Sequence, residues 1–75
     1  MSPEDGDRAI IALTILSARF MSESDALVVG QALDAQDAKF VQLMKANYPE
    51  LMLKESQEFA DAAVRCAKDI VQSWS

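Results

Sequence analysis

Between Arg8 and Arg19 the chain runs for ten residues, Ala9-Ile10-Ile11-Ala12-Leu13-Thr14-Ile15-Leu16-Ser17-Ala18, without a single charge. Thr14 and Ser17 are its only polar members. A helix covering one side of a small domain keeps a charged stripe towards water. This one has almost none, so most of its circumference calls for cover. A chain of 75 residues offers little material to surround a helix. The run therefore predicts cover by a second copy or by a partner, with the central helix of a tight monomeric bundle as the competing reading.

Length limits the chain to one domain, residues 1–75. A domain of this size buries only about 60% of its unfolded surface and is marginal unless something staples it. Cys66 is the one cysteine and histidine is absent, so neither an intramolecular disulfide nor a common zinc site is expected. Oligomerisation is the remaining staple, with a homodimer as the expected form. A hydrophobic content of 51% at a net charge of -5 excludes a disordered segment. Met1-Ser2-Pro3-Glu4-Asp5 is acidic where a secretory signal is basic. The apolar run is also shorter than the roughly 20 residues that span a bilayer. The expectation is a cytoplasmic protein in a reducing setting, with no membrane partner.

Punctuation and periodicity predict an all-α bundle of three to four helices, at about 3–21, 24–33, 35–47 and 50–73. Ser2, Pro3 and two acids make a helix start, with Ser2 as the cap. Two adjacent stripes follow, Ile10, Leu13, Ser17, Phe20 and Ile11, Ile15, Ala18. Ser22 with Asp25 resembles a capping box, and Ser24 is an alternative cap. Residues 24–47 form either one helix that tolerates Gly30 or two helices with Asp34 capping the second. The break at Leu33-Asp34 is favoured, because a continuous face would place Asp37 in the apolar seam. Tyr48-Pro49 closes this region and starts the next helix. In the last helix Phe59, Ala60, Ala63, Val64, Cys66, Ala67, Ile70, Val71 and Trp74 make one apolar face. Its alanines allow close helix packing, and the short connections imply an up-down arrangement.

Catalysis is not expected. Cys66 lies on an apolar face with no histidine to activate it and reads as a small core residue. The carboxylate pairs Asp34 with Asp37 and Glu55 with Glu58 read as helix caps and solvated faces rather than acid–base or metal sites. The two glycines are too far apart for a phosphate loop. No cofactor or metal is expected.

Two features point to binding. Ile11, Ile15, Ala18 and Phe20 are the candidate self-association or partner face, because large exposed apolar patches are uncommon on soluble monomers. The acidity is uneven: residues 1–37 hold seven acids against Arg8 and Arg19, whereas residues 38–75 hold five charges of each sign. Glu4, Asp5, Asp7, Glu23 and Asp25 are the candidate surface for a basic partner. The same imbalance argues against direct nucleic-acid binding, including a helix-turn-helix reading of residues 24–47. Tyr48 and Trp74 read equally as core lids or interface anchors.

These features predict a small acidic non-enzymatic protein that binds another protein and inhibits or modulates it. Phage and mobile-element inhibitors, anti-CRISPR proteins among them, share this size, charge and helicity. The analogy extends to size and charge only. A competing reading is an oligomer that binds or sequesters a small anionic ligand through Arg8, Arg19, Lys39 and Lys45. Another is a small chaperone or adaptor subunit.

Overall fold

A computed structural model describes the backbone of residues 3–51 and 54–74, with side chains from Arg8 onward. It contains three α-helices and one short 3-10 turn: α1 (Pro3–Phe20), α2 (Glu23–Asn47), the turn Pro49–Leu51, and α3 (Gln57–Gln72). No strand occurs among the described residues. The expected class, a small all-α bundle, is the one observed.

α1 starts at the proline, as its fixed φ favours; Ser2 lies outside the described residues. The two-residue link Met21–Ser22 turns the chain into an αα-hairpin. Ser22 is the N-cap of α2, in extended geometry, and its hydroxyl accepts from the Asp25 amide at 3.3 Å. α2 therefore begins at Glu23.

α2 answers the question of one helix or two in a way neither alternative anticipated. Its helical bonding is continuous enough to count as one element, but Gln36 stands at φ -147, ψ 50, outside helical geometry. The break lies two residues beyond the expected Leu33-Asp34. The carboxylate serving a backbone amide beside it is Asp37, which accepts from Ala38 N at 2.8 Å. Asp34, the expected cap, lines a groove instead. The bend is in keeping with the size of the folded chain. A straight helix of 25 residues would be about 37 Å long at 1.5 Å per residue. The molecule's longest dimension is 30 Å.

The last helix also needs correction. It begins at Gln57, not at residue 50, and its N-cap is Ser56, whose hydroxyl accepts from the Phe59 amide at 3.2 Å. Continuing the apolar face of α3 backwards by three and four residues from Phe59 would bring Ser56 and Glu55 inward. The chain avoids that burial by leaving the helix. Pro49–Leu51 forms the 3-10 turn, and Lys54 N donates to Leu51 O in the link that follows.

α2 packs most extensively on α3, and α1 closes over both. Leu13, Leu16, Val29, Phe40, Met44 and Phe59 fill the centre. The alanines of α3 at positions 60, 62, 63 and 67 are all fully buried and let the other helices approach closely. Cys66 is buried beside them, as expected of a core residue. Trp74 leaves the apolar face to which periodicity assigned it: it lies beyond the end of α3 and is 46% exposed. No helix among the described residues is long and apolar enough to cross a membrane.

Candidate functional site

α1 carries apolar side chains on both sides. Ala9, Ala12, Leu13 and Leu16 are buried against α2 and α3. On the far side Ile11 is 60% exposed, Ala18 is exposed and Ile15 is half-buried. Spacing of four and then three residues sets these three in one ridge. Phe20, the fourth residue expected on this face, stands apart from the ridge. It is half-buried, packs against the core, and gives its carbonyl to the Gln57 side-chain amide at 3.1 Å.

Beside this ridge lies an open groove of about 550 Å³ between α1 and α2. Ile10, Thr14 and Ser17 form the α1 wall; Ala26, Gly30, Leu33, Asp34 and Asp37 form the α2 wall. Local chemistry makes the α1 wall inert. Thr14 Oγ1 donates to Ile10 O at 2.9 Å, and Ser17 Oγ donates to Leu13 O at 2.8 Å. Their only side-chain donors are thereby spent within the helix. On the α2 wall, Ala26 and Gly30 stand four apart and leave the backbone thinly covered. A methyl built on Gly30 meets nothing within 4 Å. Leu27, outside the lining of the groove, is 63% exposed.

The groove's polar inventory is one-sided. Asp34 and Asp37 supply carboxylate oxygens, and none of the lining side chains keeps a free donor. The ion pairs among the described residues lie elsewhere. Arg19 Nη1 meets Glu55 Oε2 at 3.3 Å, and Lys68 Nζ meets Asp25 Oδ1 at 3.8 Å, both at the surface where such pairs contribute little.

Of the acidic surface expected from the N-terminal half, Glu23 and Asp25 are the residues whose side chains are described. The side chains of Glu4, Asp5 and Asp7 lie outside the described residues. Glu23 is exposed, whereas Asp25 is half-buried and paired with Lys68. The residues that converge with apolar surface are Asp34, Asp37 and Gly30, which the sequence reading had treated as caps and as a tolerated defect. The available signal is the series Ala26, Gly30, Asp34 at intervals of four, small and acidic along one helix face.

Burial pushes the Cys66 thiol above its ordinary value, Asp69 adds to the rise and Arg65 opposes it. A thiol so shifted is a poorer nucleophile near neutrality. No group of acidic or sulfur side chains suited to a metal ion occurs among the described residues. Of the aromatics, Tyr48 is half-buried at the end of α2, with the Arg65 guanidinium 5.6 Å from its ring centre. Comparison with family models, curated proteins and solved structures returns no match to this chain.

Proposed function

We propose that this is a small non-enzymatic interaction protein of the cytoplasm, which self-associates through the outer ridge of α1 and acts by engaging another protein. The observation that carries the reading is the ridge itself: Ile11, Ile15 and Ala18 stand outward on a helix whose opposite side is already committed to the core. An uncharged ridge is self-complementary about a two-fold axis, which suits a homodimer. Exposed apolar surface continuous with a groove is the ordinary mark of a contact region. Inhibition or modulation of the partner remains the proposed outcome, in the manner of phage and mobile-element inhibitors of this size and charge. The anionic-ligand alternative gains no support from the groove, whose described lining holds two carboxylates and no cation.

Light scattering over a wide concentration range tests the self-association. A dimer is expected for the natural chain, with Ile11→Ser together with Ile15→Ala shifting it to monomer while the helical circular dichroism persists. The melting temperature of the natural chain should also rise with protein concentration. A monomer at every concentration, with a melting temperature independent of concentration, would refute the dimer.

A further inference from the structure

We propose that the α1–α2 groove seats a cationic amphipathic helix from a partner protein. In this arrangement the partner's apolar stripe lies against Ile10 and Leu33, its backbone passes close over Gly30, and its Lys or Arg side chains meet Asp34 and Asp37. The inference rests on the reading of the chain as an interaction protein and adds the chemistry of its partner.

Three independent observations converge on that occupant. The first is shape. The groove is open and runs between two helices, with small residues at Ala26 and Gly30 where a third backbone approaches. Glycine inside a helix is costly relative to alanine, and no intramolecular contact at Gly30 requires its bareness. The second is hydrogen-bond inventory. With the Thr14 and Ser17 hydroxyl protons turned into α1, the groove offers acceptors alone, so its complement must bring donors. The third is electrostatic. Asp34 and Asp37 are both exposed on the α2 wall, and neither belongs to the ion pairs of the described residues, so a partner's cation can reach them. A second copy of this chain is a poorer occupant, since it brings the same net charge of -5. Helix-in-groove recognition with apolar anchors at i, i+3, i+4 and i+7 is the general mode that fits.

The probe is a labelled synthetic helical peptide with Leu at those positions and Lys elsewhere, compared by fluorescence anisotropy with its Leu–Glu counterpart. The Lys peptide should bind, the Glu peptide at least roughly ten-fold more weakly, with the preference fading as salt rises. Asp34→Asn with Asp37→Asn should remove about ten-fold of the Lys-peptide affinity. Glu58→Gln, an acid on α3 outside the groove, should leave it unchanged. Gly30→Leu fills the groove without opposing the helix and should abolish binding while the fold is retained. Equal binding of the two peptides, indifference to the groove variants, or full competition by spermine in place of the apolar peptide would each overturn the proposal. So would a homodimer that Gly30→Leu dissociates, because the occupant would then be a second copy. A monomer that binds the Lys peptide in this pattern keeps the groove and removes the dimer. A dimer that ignores the peptide does the reverse.

Discussion

Gly30 stands inside α2 on the wall of the groove. In the sequence it is a helix residue worth about 1 kcal/mol less than alanine. In the structure the space above its Cα is empty. Gly30→Ala should therefore stabilise the isolated protein by about 1 kcal/mol, a rise of roughly 4–8 °C in melting temperature by calorimetry. An unchanged or lowered melting temperature would show that the space above Gly30 is occupied. Asp37 makes the complementary point. The seam argument detected correctly that a carboxylate does not belong in the apolar line between Leu33 and Phe40. The chain's remedy was to break at Gln36 and let Asp37 accept a backbone amide, so the break moved and the groove gained an acid.

At the level of elements, caps were readable and starts were not always so. Ser22 caps α2 because a hydroxyl ahead of an acidic first turn is a strong local signal. Ser56 does the same for α3 but was obscured by Pro49, which also promises a helix and delivers only a 3-10 turn. The register of the α3 face decides between them, since extending it backwards would bury Glu55 and Ser56. Ser56→Ala should cost about 1 kcal/mol, seen as a lower urea midpoint at unchanged slope. Ser22→Ala should cost less, as its cap bond is exposed and the Ser56 bond is partly buried. Equal losses would mean that burial of the cap does not set its worth here. The groove was illegible at this level too, because it is a relation between α1 and a bent α2, and neither helix alone encodes the bend angle.

At the scale of the molecule, fold class and most of the core followed from helical periodicity, most clearly in α3, where apolar and charged faces separate cleanly. Phe59 is central and fully buried. Phe59→Ala should cost about 3–5 kcal/mol, against a total stability of roughly 4–11 kcal/mol for a chain this long. Thermal circular dichroism should show a melting temperature lowered by roughly 12 °C or more; a melting temperature within a few degrees of the natural chain would contradict this core. The exposed ridge of α1 was anticipated as apolar surface in need of cover, and the folded chain leaves much of it uncovered. The position of α3 in the chain has a further consequence, concerning the order of synthesis. Among the described residues α3 contributes the largest share of buried side chains, yet it is the last helix to be made. Until it emerges, the inner faces of α1 and α2 have nothing to close on, and the halves of α2 on either side of Gln36 are too short to persist as isolated helices in water. The nascent hairpin must therefore expose for a time inner faces that the finished molecule buries.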